Sequence, residues 1–150
     1  MSTPANAQTP SRRVGPGVAA GVTEEMIHDL VHGFYARVRA DPMLGPIFDR
    51  VIGDRWDEHL AKLCDFWSSV LLMTGRFKGA PMQVHARIAD ITPAHFERWL
   101  ALFDETARRM CPPPAAALFA EKSQMIAQSL QLGMAVARGD LPPMSQRLSA

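Results

Sequence analysis

The chain has 150 residues, 47% of them hydrophobic, with 16 basic against 15 acidic side chains and a formal net charge of +1. That length buries one core and gives no sign of a second domain, and dispersed arginines at near-neutral balance argue against a broad nucleic-acid surface, which needs clustered cations to displace counterions. The longest apolar run, Phe66 to Met73, is broken by Ser68 and Ser69 and falls well short of the ~20 residues of a membrane span.

Residues 1–22 are rich in Ser, Thr, Pro, Ala and Gly without hydrophobic periodicity, so a disordered N-terminal arm is expected there. The arm also lacks the continuous apolar segment of ~7–15 residues that a secretory signal needs, which gives the expectation of a soluble cytoplasmic protein. From Thr23 the pattern changes. Thr23 can cap, Glu24 and Glu25 suit the positive end of a helix dipole, and Met26, Ile27, Leu30, Val31, Phe34 and Val38 recur at helical spacing, up to an end near Asp41-Pro42.

Leu44-Gly45-Pro46-Ile47-Phe48 is expected as a compact turn into a second long helix. That helix begins near Asp54, carries Trp56, Leu60, Leu63 and Trp67 on one face, and is closed by Gly75 and Gly79. A short segment around His85 follows. Thr92-Pro93 then opens a helix whose buried stripe is Phe96, Trp99, Leu100, Phe103, Ala107 and Met110, stopped by Pro112, Pro113 and Pro114. A last helix with Leu118, Phe119, Ile126, Leu130 and Met134 on one face ends before Gly139, and residues 140–150 read as a loose tail. The expected fold class is all-α, with one domain over 23–139.

Two cysteines, Cys64 and Cys111, on different elements and in no Cys-x-x-Cys pattern, indicate neither a disulfide framework nor covalent haem attachment. His85, between Pro-containing turns and two amphipathic helices, is a candidate metal ligand. His59 lies one turn before Leu63, so its imidazole faces the apolar side, and a polar ring aimed into a core needs a partner. Each histidine alone reads as an ordinary interior residue satisfied by backbone or water; as a pair they can face a flat cofactor from both sides. Tyr35, the single tyrosine, and Trp99 each bring a hydrogen-bonding group into an apolar setting, and each could equally be plain core. His28, His32 and His95 sit beside polar neighbours near helix exteriors or starts and read as surface residues.

Phe34-Tyr35 with Leu44-Gly45-Pro46-Ile47-Phe48, His59-Leu60-Ala61-Lys62-Leu63 with Phe66-Trp67, His85, and Arg98-Trp99-Leu100-Ala101-Leu102-Phe103 occur in an order that resembles the group III truncated haemoglobins. These are small bacterial globins in which a shortened helical sandwich holds a non-covalent haem. The absence of Gly-Gly pairs fits that group better than the other two, whereas the N-terminal arm is a departure from it. The resemblance covers roughly Thr23 to Gly139. It implies a truncated globin fold and haem b as cofactor, with His85 as proximal iron ligand. It further implies that Tyr35, His59 and Trp99 line the distal side, that Leu63 flanks the cavity, and that Phe48 packs on the haem ring.

In that setting the protein would reversibly bind a diatomic gas such as dioxygen, nitric oxide or carbon monoxide, with donors from Tyr35 and Trp99 holding the ligand. Oxygen transport, nitric oxide detoxification and peroxidase-like chemistry fed by an external reductase all belong to this expectation, and the chain is expected to act as a monomer. His59 could donate a hydrogen bond, gate entry or bind iron itself. Two other readings remain open: a cofactor-free helical interaction module, in which the three tryptophans and nine methionines are core and contact surface, and a helical-bundle protein holding a bare metal on His59 and His85.

Overall fold

The computed structural model describes residues 15–79, 91–137 and 139. Among the described residues six helices follow one another: α1 (Pro16–Ala19), α2 (Glu24–Ala40), α3 (Gly45–Ile52), α4 (Trp56–Leu72), α5 (Pro93–Met110) and α6 (Pro113–Ala137). No strand occurs among the described residues, in keeping with the all-α expectation, and no helix among them is long and apolar enough to cross a membrane.

The N-terminal boundary differs from the expected one. Residues 15–22 are not an arm: α1 packs on α4, Gly17 is buried and Val22 belongs to the core. The contact runs backbone against backbone, because a Cβ at Gly15 would collide with the Leu71 carbonyl oxygen and one at Gly17 would stand 3.0 Å from the Leu71 side chain. Two glycines thus replace the apolar stripe whose absence suggested disorder, and the packed domain extends at least to Gly15. Residues 1–14 and 140–150 lie outside the described residues.

Helix α2 starts where its sequence indicates. The Thr23 hydroxyl accepts from the Met26 N–H at 3.1 Å, satisfying one of the first unpaired amides of the helix. Its apolar stripe, Ile27, Leu30, Val31, Phe34, Tyr35 and Val38, is buried. It ends at Asp41, whose buried carboxylate turns back to accept from the amides of Met43 (3.1 Å) and Leu44 (2.9 Å). The Asp41 carboxylate also takes the Arg98 guanidinium of α5 at 2.6 Å, tying the turn to that helix.

The segment expected as a compact turn is in fact the start of α3, with Pro46 in its first turn. Glycine is required at position 45 because an added Cβ would lie 2.5 Å from the Arg39 carbonyl oxygen. Helix α4 ends at Met73, which adopts the left-handed conformation at φ 58°, earlier than Gly75 and Gly79 had suggested. Beyond it Arg76 bridges Glu24 (2.8 Å) and Asp65 (3.2 Å), while the Ser69 hydroxyl accepts from the Phe77 amide at 2.9 Å.

Thr92 caps α5 together with His95, whose Nδ1 accepts from the Thr92 amide at 3.0 Å. Phe103 and Ala107 of the expected stripe are buried, but Met110 is 44% exposed and Thr106 takes a buried place through its hydroxyl bond to the Leu102 carbonyl at 2.7 Å. Helices α5 and α6 pack on each other, and α2 packs on α5, α4 and α3. At the centre the ring of Phe103 lies parallel to both Trp67 (5.4 Å, 9°) and Trp99 (5.2 Å, 2°) and is met edge-on by Phe34 at 4.9 Å. Cys64 and Cys111 are free thiols, both pushed up from the ordinary thiol range by burial.

Candidate functional site

Tyr35 is the centre of the site. It sits in the last half of α2 on the face turned toward α3, α4 and α5, and it is 5% exposed. Burial raises the phenol well above its ordinary pKa, since an ionised oxygen would lose its hydration, and a hydrogen bond with Trp99 works in the opposite direction. The indole N–H can only donate, so in that contact the Tyr35 oxygen is the acceptor. Trp99 is held for this by the parallel Phe103 ring and by an edge contact with Phe34 at 5.2 Å and 88°.

Three further rings surround the phenol. Phe48 of α3 lies 5.8 Å away, His59 of α4 stands perpendicular at 6.1 Å, and Trp56 of α4 is at 6.2 Å. Trp56 and His59, three residues apart on one helix face, also meet edge-on at 5.8 Å. Trp56 is fixed from outside: its indole N–H donates to the Asp49 carboxylate at 3.1 Å and the Arg39 guanidinium lies 4.6 Å over its ring. Leu63 stands one turn beyond His59, half-buried against the same core.

Tyr35, Phe48, His59 and Trp99 therefore lie close together although they are far apart in the chain. Trp56 joins them and was read from sequence only as part of a buried stripe; its Trp-x-x-His spacing with His59 was the available signal. His85 lies outside the described residues. Lys62 pairs with Glu58 of its own helix at 3.3 Å, both well exposed, and is a surface charge.

The chemistry of the donor set selects among ligands. Among the described residues no group of three or more His, Cys, Asp or Glu could hold a metal ion, so they form no carboxylate and histidine cage. They offer instead one proton-bearing phenol, a half-buried imidazole, and half-buried apolar side chains of Phe48, Leu60, Leu63, Phe66 and Trp99 packed against the core. A flat, mostly apolar group with a small polar ligand at its centre fits such a face; a charged substrate does not.

Comparison with known proteins points the same way. Residues 19–125 match the family model of the bacterial-like globins. The group 3 truncated haemoglobin ctb of Campylobacter jejuni is 35% identical over 113 residues, spanning 73% of this chain and 89% of that protein. The crystal structure of the group III truncated haemoglobin from Campylobacter jejuni superposes with a TM-score of 0.70 at 35% identity, again over 73% of this chain and 89% of the other.

Proposed function

The chain belongs to the bacterial-like globins, within them to the group III truncated haemoglobins, and from that premise we propose that it is a haem-based gas-binding protein. The observation that carries the reading is Tyr35, a buried phenol whose oxygen is engaged by the Trp99 N–H. Haem b, held without a covalent link, would supply an iron with an open position for dioxygen, nitric oxide or carbon monoxide.

In this reading His85 would hold the haem iron, and Phe48 and Leu63 would pack against the haem. Tyr35 would donate a hydrogen bond from its O–H to the gas, keeping its proton, where a site shielded from water makes the bond worth more than it would be in solution. Trp99 orients that donor: by occupying one lone pair of the phenol oxygen it limits where the O–H can point. His59, edge-on to Tyr35, would donate a hydrogen bond to the ligand, gate its entry or bind the iron itself. Reversible oxygen carriage needs no more than these residues. Nitric oxide detoxification or peroxide reduction would also need an electron-donating reductase. The proposal includes a monomeric, cytoplasmic protein.

The test is His85→Ala. The variant is expected to purify without stably retained haem while keeping its helical circular dichroism, and wild-type haem content with an unchanged spectrum would remove His85 from the proximal role.

A further inference from the structure

Close to the pocket, polar links cross between α2 and α5. One is the Trp99 N–H on the Tyr35 oxygen. Another joins the preceding residue of α5 to the end of α2: the Arg98 Nε donates to Asp41 Oδ1 at 2.8 Å, and its Nη2 donates to the same oxygen at 2.6 Å. Asp41 is itself fixed, because its Oδ2 accepts from the amides of Met43 and Leu44 and its side chain is 3% exposed. The half-exposed Arg98 side chain therefore ends on a point that the backbone holds.

The apolar contacts of Trp99 leave the direction of its N–H loosely determined. Its ring lies parallel to Phe103 at 2° and meets Phe34 edge-on at 88°. Apolar contact is non-directional, so parallel rings can slide over each other at little cost, whereas a hydrogen bond weakens steeply as its angle falls. Alignment of the indole with the phenol needs a directional tie, and the Arg98 guanidinium, charge-assisted and gripping with two donors, supplies one a single residue away. We propose that Arg98, seated on Asp41, is the positioning residue that sets the Trp99 N–H against the Tyr35 oxygen, and through that bond the rate at which the pocket releases a gas. The release rate rests on the haem reading above; the placement of the indole does not.

A further tie between the same helices lies away from the indole. Arg37 donates to the Thr106 hydroxyl at 2.9 Å and to the Glu105 carboxylate at 3.3 Å. Thr106 is two turns beyond Trp99 on α5, about 10 Å along the axis, so losing this tie weakens the helix pair without freeing the turn that carries the indole. Arg37 thus provides the comparison for an effect that is merely structural.

The experiment records the indole ¹⁵N–H spectrum and the dioxygen dissociation rate of the full-length protein, of Arg98→Met, Arg98→Lys and Arg37→Met, and of the double variant Arg98→Met with Trp99→Phe. Circular dichroism checks each fold, and methionine keeps the apolar stem of the arginine. The chain has three tryptophans, so the signal lost in Trp99→Phe identifies Trp99, and Trp56, tied to Asp49, is the fixed reference. In Arg98→Met the Trp99 signal should move toward that of an unbonded indole while the Trp56 signal stays, and dioxygen should leave about threefold faster, as in Trp99→Phe. Arg98→Lys keeps a cation beside Asp41 and should fall between the wild type and Arg98→Met. Arg37→Met should match the wild type in both readouts, and the double variant should release dioxygen no faster than Trp99→Phe alone. The proposal is overturned by an unmoved Trp99 signal in Arg98→Met, an equal shift in Arg37→Met, no recovery with lysine, or a double variant that multiplies the two rates. A missing Soret band would remove the haem reading and the kinetic comparison with it, and the indole spectrum would still decide whether Arg98 positions Trp99.

Discussion

Trp99→Phe removes one N–H and little else from the pocket. The phenyl ring can keep the parallel contact with Phe103 and the edge contact with Phe34, so the measured change belongs to the hydrogen bond on Tyr35. Tyr35→Phe removes the donor itself. A bond of this kind is worth ~1–1.5 kcal/mol, which corresponds to a dioxygen dissociation rate about tenfold faster in Tyr35→Phe. Trp99→Phe loses only the orientation of that donor and should be about threefold faster. Because Trp99 acts through Tyr35, the double variant should dissociate no faster than Tyr35→Phe alone, a strong departure from additivity. Stopped-flow displacement of dioxygen by carbon monoxide gives the four rates. Two independent donors would instead multiply to about thirtyfold in the double variant, and that result would refute the relay from Trp99 through Tyr35.

Tyr35 is the single tyrosine, so phenolate absorbance reports it without interference from another phenol. Its pKa is raised by burial, hence the neutral form contributes stability that is fully present below the unfolded value near pH 10 and is lost as pH rises above it. The native protein should show no phenolate near pH 10, whereas the unfolded chain is half ionised there; coincident titration curves would contradict the burial argument. Asp41 is opposite in sign. The Arg98 guanidinium holds its carboxyl below the ordinary range, so its contribution is present at neutral pH and lost as pH falls through and below ~4. Asp41→Ala should cost about 1–2 kcal/mol in urea unfolding at pH 7 from the lost cap on Met43 and Leu44, with a smaller deficit at acid pH; an equal deficit at both would contradict the assignment.

Much of this was legible in the chain because it depends on local chemistry. Thr23 before two glutamates, Asp41-Pro42 and Thr92-Pro93 mark helix ends through capping, and the structure places the ends there. Tyr35, His59 and Trp99 were readable as pocket candidates because each puts a polar group on an apolar face, whereas Phe48 was named only through the resemblance. What escaped was tertiary. The order of residues 15–22 rests on Gly15 and Gly17 lying directly against Leu71, which no hydrophobic pattern encodes. The start of α3 looked like a turn because Gly45 and Pro46 are turn residues. Here the proline opens the helix and the glycine admits the Arg39 carbonyl. The hydrogen bond between Trp99 and Tyr35 spans two helices, so sequence gave two donors without saying that one serves the other.

The central claim is tested most directly by the visible absorption spectrum of the purified protein, as isolated, reduced, and reduced under carbon monoxide. A haem-based gas-binding protein should show a strong Soret band that shifts when carbon monoxide is added. A chain that shows no Soret band, even after haem is supplied, is a helical module without cofactor, and the account given for Tyr35 and its neighbours fails with it.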